Sequence, residues 1–246
     1  MKNQVPNFIT CCNLVSGCIA TLYAFIGSPE MALLFIIIGA AFDFCDGLSA
    51  RALGVSSPIG KELDSLADDI TFGFAPSAIV FSQLCVMDYP DAIEPLSDYL
   101  PFLAFVIAAF SALRLAKFNL DTRQTTSFIG LPTPANALFW ASLVVAYHKV
   151  FEHIDYGFIY IIVLIFVSSY LLIAELPMFA LKFKHWGITE PENVVKYGFL
   201  LFSVFMMIFS AVLAPSPLKG FVSSIPVIII AYILVSVFMN ITHKKP

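Results

Sequence analysis

The chain has 246 residues, 59% hydrophobic and only 12% charged, with a formal net charge of −4 and a mean hydropathy of +0.89. An ordinary soluble domain carries roughly 25% charged residues, so this chain lacks the polar surface of a soluble enzyme and the solvation of a disordered protein. Its small negative balance gives no general basic field for a nucleic acid, which leaves an integral membrane protein.

A helix crossing a bilayer needs about 20 apolar residues. In chain order, eight stretches qualify: 7–27, 30–53, 59–86, 99–119, 132–151, 156–175, 194–214 and 221–241. Breaks such as Gly27-Ser28-Pro29, Asp88-Tyr89-Pro90-Asp91 and Pro215-Ser216-Pro217 separate them. The expected fold is therefore an all-α, polytopic transmembrane bundle with short loops. The first stretch follows a single early lysine and has no small-x-small cleavage pattern, so it reads as a retained span rather than a signal peptide. Cys11, Cys12, Cys18, Cys45 and Cys85 form no metal-ligand spacing and read as small buried hydrophobes.

Eight spans put both termini on one side. With the N-terminus cytoplasmic, that side holds Lys2, Arg51, Lys61, Arg114, Lys117, Arg123, Lys182, Lys184, Lys196, Lys244 and Lys245, and the other holds only Lys149 and Lys219. The loop with Asp88, Asp91, Glu94 and Asp98 has no base and belongs outside. The positive-inside rule thus predicts both termini on the cytoplasmic side of the cell membrane.

An aspartate near the middle of a membrane helix costs about 2.5–3.5 kcal/mol on insertion scales. The second and third spans nevertheless carry Asp43, Asp46, Asp64, Asp68 and Asp69. Asp43 and Asp46 are three apart and Asp64 and Asp68 four apart, so each pair shares a helix face. Gly54, Ser56, Ser57, Pro58 and Gly60 reverse the chain between them. Four carboxylates are then expected to converge near the cytoplasmic surface, where Arg51 and Lys61 cannot neutralise them all. Magnesium or manganese would suit such an oxygen cluster. On the acids alone three readings stand: a metal-dependent enzyme, a cation or proton pathway in a transporter, and a structural polar network.

The full stretch reads Asp43-x2-Asp46-Gly47-x2-Ala50-Arg51-x8-Gly60-x3-Asp64-x3-Asp68. It resembles the signature of the CDP-alcohol phosphotransferases at every fixed position and spacing. Eight fixed residues at about 5–7% usage each match by chance on the order of once in a billion start positions. Further stretches resemble the membrane-bound phosphatidylserine synthase branch of that family. They are Pro6-Asn7-Phe8-Ile9-Thr10 with Asn13-Leu14 and Gly17, Asp64-Ser65-Leu66-Ala67-Asp68, Arg114-Leu115-Ala116-Lys117-Phe118-Asn119, and Phe128-x-Gly130-Leu131-Pro132-Thr133-Pro134-Ala135-Asn136-Ala137. The resemblance covers residues 5–185 and reaches through 179–184.

What the resemblance implies is a six-helix catalytic domain over 1–185, commonly a homodimer, with 186–246 as two additional helices. The implied reaction joins CDP-diacylglycerol and L-serine to give phosphatidylserine and CMP. Asp43, Asp46, Asp64 and Asp68 are the implied ligands of two divalent cations, Mn2+ or Mg2+, and Asp68 is also the implied base for the serine hydroxyl. Asp46, Gly47, Ala50, Arg51, Ser57 and Gly60 would hold the nucleotide of CDP-diacylglycerol, bordered by Thr10 and Asn13. Gly47, Ala50 and Gly60 let it approach the helix backbone closely, and the planar fork of Arg51 suits phosphate oxygens. Arg114, with Lys117, is the expected partner of the serine carboxylate, helped by the start of the fifth helix near 132–136; snorkelling to headgroups is the competing role for both. Lys182 and Lys184 are expected to meet anionic lipid headgroups. Asp69 lies outside the motif and is expected in a supporting or solvated role. Only five residues precede Pro6, so the amphipathic surface helix that many members carry is not expected. Alternatives are the same chemistry on another acceptor (glycerol 3-phosphate, an inositol phosphate or an amino alcohol) and a cation-coupled transporter. Against the transporter stands the missing inverted repeat.

Overall fold

Turn chemistry sets the helix ends that matter most for the site. The computed structural model describes residues 4–121, 128–179 and 191–243. Lys2, Arg123, Lys182, Lys184, Lys244 and Lys245, which entered the charge count, lie outside the described residues. Helix α1 (Gln4–Phe25) runs into a short turn, and Pro29 opens α2 (Pro29–Leu53) at a first-turn position, where its missing N–H costs nothing. Helix α2 stops at Gly54, whose left-handed φ of 63° turns its N–H back to Ala50 O and Arg51 O. Ser57 then caps α3 (Pro58–Asp68), accepting the Gly60 N–H at 3.0 Å.

The third predicted span is a continuous rod in three pieces. Helix α3 passes into a π-helical turn, Asp69–Phe74, and then into α4 (Ala75–Cys85). That turn coincides with the tightest crossing of α1, α2 and the rod. Thr71 is fully buried there and donates to Asn13 O at 3.0 Å. A Cβ on Gly17 would overlap the Thr71 backbone and hydroxyl, and one on Gly39 would come within 2.6 Å of Thr71 Cγ2. Lipid supplies no hydrophobic drive between helices, so such small-residue notches set how closely they approach.

A 3-10 segment, Leu100–Phe105, leads into α5 (Val106–Leu120), followed by α6 (Thr133–His153) and α7 (Gly157–Ile173). Two short strands, β1 (Phe128–Ile129) and β2 (Pro177–Met178), pair antiparallel with Phe128 opposite Met178. The Gly130 N–H donates to Leu176 O at 2.9 Å and the Leu131 N–H to Leu171 O at 2.8 Å, which fastens the start of α6 to the end of α7. The core joins α1, α2, α4, α5, α6 and α7, with Phe72 and Trp140 fully buried and the Trp140 indole N–H donating to Ser168 Oγ at 3.0 Å.

Helices α8 (Pro191–Leu213) and α9 (Pro217–His243) complete the chain. Helix α9 packs along α6, where the Tyr147 hydroxyl donates to Ser223 O at 2.9 Å. It also grips β2: the Tyr232 hydroxyl donates to Phe179 O at 3.0 Å and Asn240 Nδ2 to Pro177 O at 2.6 Å.

Among the described helices, Gln4–Phe25, Pro29–Leu53, Leu100–Leu120, Asn193–Leu213 and Pro217–Ile241 are long and apolar enough to cross a membrane. The other three predicted spans are the acid-bearing α3–α4 rod, α6, and the 17-residue α7, which ends early because the chain turns into β2. Large apolar side chains such as Phe8, Leu201 and Val212 point outward with more than two-thirds of their surface exposed, as a lipid-facing surface requires and a water-facing one avoids. The cysteines depart from expectation. Cys11, Cys18, Cys45 and Cys85 are exposed and Cys12 is half-buried, all as free thiols. Cys11 and Cys18, seven apart, lie on the face of α1 turned away from Asn13 and Gly17, so helical periodicity sends them outward.

The Thr71 notch gives a stability prediction. Gly39→Val places branched carbon where Thr71 sits, an overpacking that typically costs about 1–3 kcal/mol. The expected outcome is a clearly lower thermal midpoint for the monodisperse protein in detergent, followed by size-exclusion chromatography.

Candidate active site

The turn between Gly54 and Ser57 folds α3 back on α2, and their acids meet. Asp43, Asp64 and Asp68 each offer a carboxylate oxygen, and these oxygens lie within 4.8 Å of one another. Two unit charges at that spacing repel by about 3 kcal/mol at an effective dielectric near 20. Asn13 Nδ2 donates to Asp68 Oδ1 at 3.1 Å. Asp64 Oδ1 is buried with no hydrogen-bond partner among the described residues. Converging oxygens and one orphaned buried oxygen fit a hard divalent cation, which takes oxygen ligands.

The fourth motif acid stands apart. Asp46 is 6% exposed, and its Oδ2 accepts the Thr10 hydroxyl at 2.6 Å rather than joining the three-acid group. Three residues on an α-helix advance about 300°, which leaves Asp46 about 60° round from Asp43, turned towards α1. Its charge still reaches Asp43, Asp64 and Asp68.

A cleft of about 230 Å³ opens beside these acids, with Asp46 and Asp64 in its wall. Thr10, Gly47, Ala50, Ser57 and Gly60 also line it, so most of the positions expected to hold the nucleotide face one space. Arg51 is exposed and lies along α2, its Nη1 3.4 Å from where a Gly47 Cβ would stand. Asn13 is turned instead to Asp68. The cleft has further residues that sequence reasoning did not assign: Pro6 and Asn7 from α1, Val55 and Ser56 from the turn, and Lys61. Lys61 Nζ donates to Asn119 O at 2.9 Å, and Asn119 Nδ2 donates to Ser65 Oγ at 2.7 Å, which ties the end of α5 to α3. The Pro6-Asn7 pair was visible as a motif fragment. Only the fold brings Asn119 to Lys61.

Arg114 is 7% exposed, so it does not snorkel. Its Nη1 donates to Thr133 Oγ1 at 3.1 Å, its guanidinium carbon lies 5.4 Å from the Phe118 ring centre, and the charge of Asp68 reaches it. Lys117, one turn on, is exposed. Tyr232 of α9 stands near enough to Arg114 to act on its charge, a neighbour that no local sequence signal announces.

A helical membrane bundle with a half-buried acid cluster beside a cleft describes a class of protein. The profile of the CDP-alcohol phosphatidyltransferase family matches residues 3–179, and the chain belongs to that family. It is 34% identical over 152 residues to the CDP-diacylglycerol–serine O-phosphatidyltransferase of Bacillus subtilis (strain 168), a match covering 60% of this chain and 79% of that protein. It is 31% identical over 176 residues to the Saccharomyces cerevisiae protein of the same name, covering 64% of this chain and 60% of that one. With the archaetidylserine synthase of Methanothermobacter thermautotrophicus it shares 30% identity over 136 residues, 54% of each chain.

The repulsion among the acids gives a prediction with an unusual sign. In protein stripped of divalent cations, Asp64→Asn is expected to raise the thermal midpoint by a few degrees, where most substitutions lower it. The same variant should lose most of the further rise that manganese gives the wild type. Differential scanning fluorimetry with and without chelator reads both.

Proposed function

We propose that this protein transfers the phosphatidyl group of CDP-diacylglycerol to L-serine, releasing CMP. The observation that carries this reading is the meeting of Asp43, Asp64 and Asp68 beside a cleft that Asp64 lines together with the small residues Gly47, Ala50 and Gly60. The names of the relatives support serine as the acceptor.

Asp43, Asp46, Asp64 and Asp68 would hold one or two divalent cations, Mg2+ or Mn2+, which when bound offset the charge of the pyrophosphate and of the departing CMP. The protein's own groups do the rest. Gly47, Ala50 and Gly60 leave room for the nucleotide against the helix backbone. The Ser57 hydroxyl accepts from Gly60 N–H and keeps its own proton to donate. Thr10 fixes the Asp46 carboxylate, and Asn13 fixes that of Asp68. Arg51 and Lys61 at the rim supply positive charge for phosphate oxygens.

Asp68 takes the proton of the serine hydroxyl. The serine oxygen forms its bond to the diacylglycerol-side phosphorus while the bond from that phosphorus to the oxygen shared with CMP breaks, and CMP leaves with that electron pair. Arg114, already anchored to Thr133, holds the serine carboxylate, with Lys117 as a more distant cation. The domain division follows the same reading: a catalytic unit over 1–185 and two added helices beyond it. So does placement in the cytoplasmic membrane with both termini and the cleft on the cytoplasmic side. The cleft end carries Arg51, Lys61 and Lys117, while the acidic loop with Asp88 and Asp91 follows the far end of the α3–α4 rod. A homodimer amid membrane lipids completes the reading.

The test supplies purified protein with CDP-diacylglycerol, manganese or magnesium, and candidate alcohols one at a time, following CMP and identifying the lipid by mass spectrometry. Serine-dependent CMP release with a phosphatidylserine product is expected, abolished by chelator and restored by either cation. Asp68→Asn should lower the rate by about 100- to 10,000-fold, the range typical of a lost general base. CMP release only with another alcohol would overturn serine as the acceptor.

Arg114→Ala is expected to raise the serine KM by roughly 10- to 100-fold, the loss of a charged hydrogen bond, with the CDP-diacylglycerol KM little changed. An unchanged serine KM would remove Arg114 from the acceptor site.

A further inference from the structure

Most of the buried side-chain polar atoms that lack a partner among the described residues belong to four residues of the π turn, α5 and α6. They are Asp69 Oδ1, Ser111 Oγ, Arg114 Nε and both amide atoms of Asn136. Ser111 and Asn136 are fully buried and Arg114 nearly so. A buried polar atom left unpaired typically costs about 1–3 kcal/mol, so a group of them in one place calls for a ligand.

Their placement is tight. Arg114 Nη1 and Thr133 Oγ1 bridge α5 and α6 at 3.1 Å. Ser111 lies three residues before Arg114 and Asn136 three after Thr133, each on the same face as its neighbour. Ser111 and Asn136 thus each stand about one helical turn from the Arg114–Thr133 bond. Asp69 belongs to the π turn. A Cβ on Gly73 would come within 2.6 Å of Asp69 Oδ1 and 3.0 Å of Ser111 Cβ, so the bare glycine leaves the two side chains facing each other. Asp69 itself is half-buried, with its Oδ1 on the buried side.

We propose that Asp69, Ser111, Arg114 and Asn136 form a pocket for the zwitterionic head of an amino-acid acceptor, with Asp69 binding its ammonium. The proposal rests on the serine reading above and adds what selects serine. Donors and acceptors divide as a zwitterion demands: Arg114 Nε and Asn136 Nδ2 face the carboxylate, while Asp69 Oδ1, Ser111 Oγ and Asn136 Oδ1 face the ammonium. Asp68, adjacent in the chain to Asp69, is left for the hydroxyl. The Asp69 charge also disfavours acceptors that carry a phosphate where serine carries its ammonium.

The test compares L-serine with 3-hydroxypropanoate, which keeps the hydroxyl and carboxylate but lacks the ammonium. In the wild-type protein, kcat/KM should favour serine by on the order of a hundredfold or more, since a site built to pair a buried polar group rejects an analogue lacking it. Asp69→Asn should raise the serine KM at least about tenfold, by loss of a charged hydrogen bond, and should narrow the preference over 3-hydroxypropanoate. Ser111→Ala should move both quantities the same way by less, and the CDP-diacylglycerol KM reports whether either variant has lost its fold. Equal use of the two acceptors by the wild type overturns the pocket without requiring any variant to fold. A serine KM unchanged in Asp69→Asn overturns it too, and would mean that the layer holds only water. If the wild type uses no serine at all, the underlying reading fails and the pocket with it. Serine turnover with an indifferent Asp69 removes the pocket alone.

Discussion

Everything in the site hangs from one contact, the burial of Thr71 against Gly17 and Gly39. It brings α1, α2 and the α3–α4 rod together at backbone distance, and it does so three residues beyond Asp68. The same α1 residue that receives the Thr71 hydroxyl on its carbonyl, Asn13, holds Asp68 with its side-chain amide. The acids are therefore positioned from behind, by a crossing built on Gly17, Gly39 and Thr71. This suits a cluster that repels itself. Held only by its own side chains, it would spread apart; fastened through a rigid backbone crossing, it stays together and presents concentrated negative charge.

The site has two halves with different physical character. On one side lies an open cleft walled by glycines, alanine and a capped turn, suited to a large and highly charged donor. On the other, between α5, α6 and the π turn, lies a layer of buried polar groups suited to a small polar acceptor. Asp68 stands where they adjoin. Asn13 of α1 donates to it, and its charge acts on Arg114 of α5. On the proposed reading, the division lets nucleotide and acceptor be recognised by different rules, one by room and charge, the other by matched hydrogen bonds.

Much of this was legible in the sequence. Composition and apolar run length gave the membrane bundle, and the spacing of Asp43, Asp46, Asp64 and Asp68, with the glycines and Arg51 between them, gave the acid site and its family. Helical spacing alone put Asp43 and Asp46 on one face, but it did not resolve the offset that sends Asp46 to Thr10. The π turn was hidden because the residues Asp69–Phe74 read as ordinary helix, and only the crossing at Thr71 marks the place. In the sequence Lys61 reads as a charge and not as a wall of the cleft, since its link to Asn119 joins residues 58 apart. The cysteines face outward because in a membrane the apolar surface is the outside as well as the core. No local pattern tied Tyr232 to Phe179 or placed it near Arg114.

That last connection bears on how the protein is made. The acids on α2 and α3 belong to one early hairpin, complete before residue 70 has been followed by anything else. The start of α6, where Thr133 and Asn136 stand, is clipped through β1 and β2, and β2 is gripped by Tyr232 and Asn240 of the last helix. Tyr232 follows Asn136 by 96 residues, which at a synthesis rate of about 5–20 residues per second is an interval of about 5–20 seconds. The two halves of the site thus mature at different times. The acid hairpin is assembled while the chain is still being inserted, and the start of α6 is locked only when the final helix docks.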